Sequence, residues 1–83
     1  MVINRIPDIV DEVEAEVRRA QQMHQKLTSH HEAYAVILEE LEEYWEEVKL
    51  KAEKRNRSHM RTELIQTAAM CVRAILNLMD EEQ

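Results

Sequence analysis

An all-α fold is what this sequence predicts, and three observations predict it. The chain has 83 residues and no glycine, so the positive-φ backbone that tight hairpins require is poorly available. Glu, Ala, Leu, Met, Gln, Arg and Lys, the strong helix formers, dominate the composition. The apolar residues recur at steps of three and four, which is the period of a helix and not the alternation of a strand. So short a chain is expected to form one domain over residues 1–83, with a modest core. A single cysteine rules out an internal disulfide, which makes homo-oligomerisation, as a dimer or tetramer, the simplest added source of stability.

The first helix is expected over residues 5–27, with a heptad seam of Ile6, Val10, Val13, Val17, Ala20 and Leu27 that only His24 interrupts. Pro7 suits a first turn, where its missing N–H costs nothing, and Asn4 is the expected cap. Ser29 and Glu32 form the capping box S-x-x-E, a start signal for a second helix running to about Arg55. Its apolar stripe is Tyr34, Ile37, Leu38, Leu41, Tyr44, Trp45 and Val48. Asn56-Arg57-Ser58 reads as a turn, with Asn56 in the left-handed conformation and Ser58 capping a third helix from about His59 to Met79. Leu64, Ile65, Ala68, Cys71, Val72, Ile75 and Met79 form the face of that helix expected to enter the core. The predicted architecture is three main helices joined by short turns, a bundle completed by oligomerisation.

Composition also excludes functions. Without glycine there is no phosphate-cradling loop of the Walker or Rossmann type, and a net charge of −6 argues against bulk binding to nucleic acid. No apolar run reaches the roughly 20 residues of a membrane span. The acidic N-terminal stretch from Asp8 lacks a signal-peptide pattern, so a cytoplasmic location is expected.

Charge is unevenly placed. Residues 29–48 carry seven glutamates and no Lys or Arg, while residues 49–61 carry six Lys or Arg and only Glu53. Such a pair of blocks suits a metal and a phosphate together; it also suits helix-dipole compensation. At 100° per residue Glu40, Glu43 and Glu47 share a face beside the apolar stripe, where desolvation and self-repulsion call for a cation. Glu39, Glu42 and Glu46 lie on the far side, open to solvent. On the third helix Glu63, Gln66, Met70, Arg73 and Asn77 form a separate stripe of specific polar groups. Glu40 with Glu43, and Glu63 with Gln66, have the i, i+3 spacing with which facing helices hold Mg²⁺, a hard cation that takes oxygen ligands. No two histidines stand at i, i+4, so no zinc site is expected.

Glu39-Glu40-Leu41-Glu42-Glu43 matches an EExxE motif, and Glu63-Leu64-Ile65-Gln66, beginning after 19 intervening residues, nearly matches ExxD. Over residues 31–78 the chain resembles the MazG-type nucleotide pyrophosphohydrolases, in particular short phage-like or stand-alone members. That resemblance implies a Mg²⁺-dependent hydrolase (Mn²⁺ being a possible substitute) that splits nucleoside triphosphates into monophosphate and pyrophosphate as a dimer or tetramer of helical bundles. It makes Glu40, Glu43, Glu63 and Gln66 the metal ligands, with Gln66 standing where the family has aspartate, and it gives Glu39 or Glu43 the catalytic task of orienting water. Lys51, Lys54, Arg55, Arg57 and Arg73 then receive phosphates, and Tyr34 or Trp45, or a neighbouring subunit, walls the base.

Other readings stand beside these. The glutamates also fit a solvated helix face, and the chain also fits a non-catalytic helical oligomerisation or partner-binding module, or a relative with a degenerate metal site. His24 is expected to be partly buried in the seam, His59 to lie on the surface, Cys71 to be core, and Trp45 and Tyr44 to be core or interface.

Overall fold

The computed structural model describes residues 4–80, which form three α-helices with no strand among them. Helix α1 spans Ile6–Met23, α2 spans His30–Val48 and α3 spans Arg57–Ile75. A short 3₁₀ turn, Ala52–Lys54, lies between α2 and α3, and a π-helical turn, Leu76–Asp80, extends α3. The all-α, three-helix expectation is met.

Local chemistry accounts for the starts. Asn4 Oδ1 accepts from the Ile6 N–H at 3.0 Å, and Pro7 sits in the first turn of α1. Ser29 Oγ accepts from the Glu32 N–H at 3.0 Å, and the Glu32 carboxylate reaches back to the Thr28 N–H at 2.7 Å. The capping box is therefore built, shifted by one residue on its return arm. Asn56, not Ser58, caps α3: its Oδ1 accepts from the His59 N–H at 3.0 Å. Asn56 is extended at φ −93°, ψ 101°, so the connection needs no left-handed residue.

Two ends differ from expectation for identifiable reasons. Helix α1 stops at Met23, four residues short of Leu27, because α3 captures the next segment in extended form. The Leu27 N–H donates to Asn77 Oδ1 at 2.8 Å, and the Arg73 guanidinium donates to the Gln25 carbonyl at 3.0 Å. These bonds replace helical ones, and Leu27 is buried off the helix. Helix α2 stops at Val48 and not near Arg55, since the Arg55 side chain folds back onto the Val48 and Leu50 carbonyls at 2.7 and 3.1 Å. A side chain thus satisfies the acceptors that another helical turn would have used.

Contacts across the bundle fix its topology. Glu47 meets His59, Val36 and Ile37 pack on the cluster containing Met70, and Ala33 packs with Ala74, so α2 and α3 are antiparallel. Glu12 pairs with Arg61 at 2.6 Å, and Val17 and Ala20 pack with Ala69 and Met70, so α1 runs parallel to α3. Helix α3 is the centre of an up-down-up slab only 19 Å thick, about two helix diameters.

The core inverts the expected face of α3. Its buried residues are Glu63, Ala69, Met70, Arg73 and Ala74, which are the polar stripe and its small neighbours. Leu64, Cys71, Val72, Ile75 and Met79 are exposed, and Ile65 and Ala68 are half-buried. Cys71 is therefore not core. Trp45 is also exposed, Tyr44 half-buried, and His24 exposed at the end of α1. Ile6 and Val10 lie open at the start of the seam, Val13 is half-buried, and within α1 the seam is fully buried at Val17 and Ala20. Alanine dominates the apolar core, and among the described residues no large side chain is completely buried. Small residues let helices approach closely but withdraw little apolar surface from water. No helix among the described residues is long and apolar enough to cross a membrane.

Candidate metal centre

Where α2 and α3 face each other, Glu40, Glu43 and Glu63 each offer a carboxylate oxygen, and these oxygens lie within 4.8 Å of one another. Helical geometry places them: Glu40 and Glu43 are one turn apart on α2, and the antiparallel register brings Glu63 opposite. Glu63 is only 4% exposed. One oxygen of Glu63 and one of Glu40 are buried with no hydrogen-bond partner.

That arrangement is costly without a cation. Burial, followed by repulsion from Glu43 and Glu63, pushes the Glu40 carboxyl up to about 7. Glu43, sharing a hydrogen bond with Glu63 and repelled by it, is also raised. Two orphaned carboxylate oxygens on the residues of an all-oxygen cluster carry charge that a hard divalent cation would neutralise. The residues present fit such an ion.

The second carboxylate oxygen of Glu63 is held by a chain of contacts that the sequence did not suggest. His59 Nε2 lies 3.0 Å from Glu63 Oε1, and its Nδ1 lies 3.4 Å from Glu47 Oε2. Glu47 Oε1 in turn accepts the Asn56 backbone N–H at 2.7 Å. That hydrogen bond, aided by His59, holds the Glu47 carboxyl below its usual range. The cap of α3 is thereby linked through Glu47 and His59 to the most buried carboxylate of the cluster. His59 lies on the surface as expected, half exposed, and from there also reaches Glu63 and Glu47. The i, i+4 spacing of His59 and Glu63 was the available signal.

Beside the carboxylates opens a cavity of about 630 Å³ lined by Glu39, Glu40, Gln66, Met70 and Arg73, among others, with the 24–28 connector and part of α1 on its other wall. Arg73 is 4% exposed, and its Nε has no partner. Gln66 is half-buried there and brings an amide oxygen without charge. Arg19, His24 and Lys26 stand on the α1 side, where Arg19 is paired with Glu16.

Of the residues expected to receive phosphates, the structure brings only Arg73 into this cavity. Arg55 and Arg57 line a separate cavity of about 700 Å³ with Tyr44, Met60 and Leu64, and Arg55 is engaged by the end of α2. Lys51 and Lys54 are exposed on the intervening turn and line neither cavity. Tyr34 and Trp45 are also outside the carboxylate cavity, whose apolar wall is Leu27, Val36 and Met70. The connector after α1, captured by Arg73 and Asn77, supplies a wall that sequence periodicity had assigned to helix. Comparison of the chain with protein-family models, curated proteins and solved structures gives no match.

Proposed function

We propose that the chain is a divalent-cation-dependent hydrolase that cleaves nucleoside triphosphates between the α and β phosphates, releasing monophosphate and pyrophosphate. One observation carries this reading: three carboxylates cluster on facing helices, two of them with orphaned buried oxygens, and one of the three, Glu40, also lines a cavity of about 630 Å³ that has a buried arginine in its wall. The resemblance of the two motif segments to MazG-type enzymes supports the same reaction.

Glu40, Glu43 and Glu63 hold the ion, Mg²⁺ or Mn²⁺, with Gln66 as a neutral oxygen donor in reach of the same cavity. When bound, the ion offsets phosphate charge and favours hydroxide over water at the reacting centre. Arg73, buried in the cavity wall, supplies positive charge to a phosphate oxygen in the cavity. Glu39, on the cavity wall, orients water toward phosphorus. Water gives up a proton to the Glu39 carboxylate as its oxygen bonds to the α phosphorus, the P–O bond to the β phosphate breaks, and the leaving pyrophosphate takes the electron pair. Leu27, Val36 and Met70 offer the apolar wall for a base.

The test is pyrophosphate release from a panel of common and modified nucleoside triphosphates, with and without Mg²⁺ or Mn²⁺. Release that depends on the ion and is lost in Glu40→Ala, with helicity retained, is the expected result. Silence across the panel, with no effect of either ion on melting, favours the binding-module reading instead. Ion-dependent stabilisation without turnover favours a degenerate site in which Gln66 replaces the missing charge.

A further inference from the structure

We infer that Glu47 is a positioning residue for the proposed metal centre: through His59 it holds the Glu63 carboxylate in place, and through the Asn56 N–H it ties that carboxylate to the start of α3. Resting on the cation site proposed above, this role falls to the glutamate that shares a face with Glu40 and Glu43 yet stands outside their cluster.

The partners of Glu47 are unexpected for its place in the chain. Residues 49–61 carry six Lys or Arg, and the neighbouring Glu46 takes the ordinary course of an exposed glutamate by pairing with Lys49 at 2.9 Å. Among the described residues Glu47 pairs with no Lys or Arg. Its side chain is 15% exposed, its Oε1 accepts the Asn56 N–H at 2.7 Å, and its Oε2 lies 3.4 Å from His59 Nδ1. A carboxylate that takes a backbone amide and an imidazole, with flexible surface cations close by in sequence, is placed by geometry more than by charge.

These contacts close on themselves. Asn56 is gripped twice, at its N–H by Glu47 and at its Oδ1 by the His59 N–H at 3.0 Å, so the backbone that carries the imidazole is fixed along with the ring. On the far side of the ring, His59 Nε2 stands 3.0 Å from Glu63 Oε1. Glu63 Oε2 is buried without a partner, so one oxygen of this carboxylate is pinned and the other is left for an ion. A ligand held before the ion arrives has little side-chain freedom left to lose on binding. Groups that orient metal ligands in this way commonly carry about 10- to 100-fold of the affinity, and Glu47, one contact further out, is expected to carry about 3- to 10-fold. The coupling is reciprocal: an ion on Glu63 also steadies His59, Glu47 and the Asn56 N–H.

Mn²⁺ affinity of the full chain, read by electron paramagnetic resonance in wild type, Glu47→Ala, His59→Ala and the double variant, tests the role, with helicity checked by circular dichroism. Glu47→Ala should weaken binding about 3- to 10-fold, and Glu47→Gln, which keeps an oxygen for the Asn56 N–H, should recover part of that loss. Where His59 is already alanine, Glu47→Ala should change affinity less than about 2-fold. A residue that merely braced the start of α3 would lower affinity by the same factor in both backgrounds. Should Glu47→Ala fail to fold, amide exchange in the unmutated chain decides. Saturating Mg²⁺ should slow the Asn56 N–H at least about 3-fold more than the Leu27 N–H, which Asn77 holds beyond the other end of α3. Equal affinity of Glu47→Ala and wild type, equal factors in both backgrounds, or equal slowing of the two amides would overturn the role of Glu47 and leave the metal centre standing. Absence of saturable Mn²⁺ binding in wild type would overturn the metal centre itself, and this role with it.

Discussion

Replacing Glu40 by glutamine is expected to stabilise the metal-free protein and to remove its response to divalent ions. Burial, followed by the charges of Glu43 and Glu63, displaces the Glu40 carboxyl from 4.5 to about 7. Holding Glu40 ionised above pH 7 then costs about 3.4 kcal/mol. Water in the adjoining cavity screens part of this, so about 1 to 2 kcal/mol is the expected share. The folded state binds this proton more tightly than the unfolded chain. Glu40's contribution is therefore most favourable below pH 4.5, declines as pH rises toward 7, and is flat above. Thermal melts in chelator at fixed protein concentration, from pH 5 to pH 8, should show wild type losing stability that Glu40→Gln keeps. At pH 8 the variant should melt about 5 to 15 °C higher, given the few degrees per kcal/mol of a domain this size. Added Mg²⁺ should raise the wild-type melting temperature and leave the variant's unchanged. A variant that melts at or below wild type at pH 8 in chelator, or that responds equally to Mg²⁺, would refute the electrostatic account of the cluster.

Three further outcomes follow from the same geometry. His59→Ala frees Glu63 Oε1 and should weaken Mn²⁺ binding about 10-fold or more in calorimetry, with His59→Gln restoring part of it; unchanged affinity would reduce His59 to a surface contact. Gln66→Asp should tighten Mg²⁺ binding and lower metal-free stability at pH 8 by about 1 kcal/mol, and an unaltered titration would place Gln66 away from the ion. Asn77→Ala removes the acceptor of the Leu27 N–H and should cost about 1 to 2 kcal/mol in urea unfolding while accelerating amide exchange at Leu27, leaving metal affinity intact.

Much of the fold was legible because local signals act through neighbouring residues. Ser29 with Glu32 marks the start of α2, Pro7 and Asn4 mark α1, and the absence of glycine excludes hairpins. The carboxylate cluster was legible because Glu40 and Glu43 share a face by spacing alone. What periodicity could not give was the rotation of α3. It shows that the helix has an apolar and a polar side, and the usual rule buries the apolar one. Here the chain buries Glu63, Met70 and Arg73 beside alanines and leaves Leu64 and Ile75 outside, which the rule permits only if another surface covers them. The ends of α1 and α2 were illegible for a different reason. Arg73, Asn77 and Arg55 capture backbone groups across 48, 50 and 7 residues respectively, and tertiary hydrogen bonds of that kind leave no periodic trace. The linkage through Glu47 and His59 depends likewise on the antiparallel register of two helices.

In the proposed site Glu40, Glu43 and Glu63 together would hold one divalent cation for phosphoryl chemistry. Titration of the chain with Mn²⁺, followed by electron paramagnetic resonance and repeated on Glu63→Gln, tests it most directly. Saturable binding in the wild type, displaced by Mg²⁺ and weakened at least tenfold in Glu63→Gln, is the predicted result. Absence of saturable binding, or equal binding by both proteins, would contradict it.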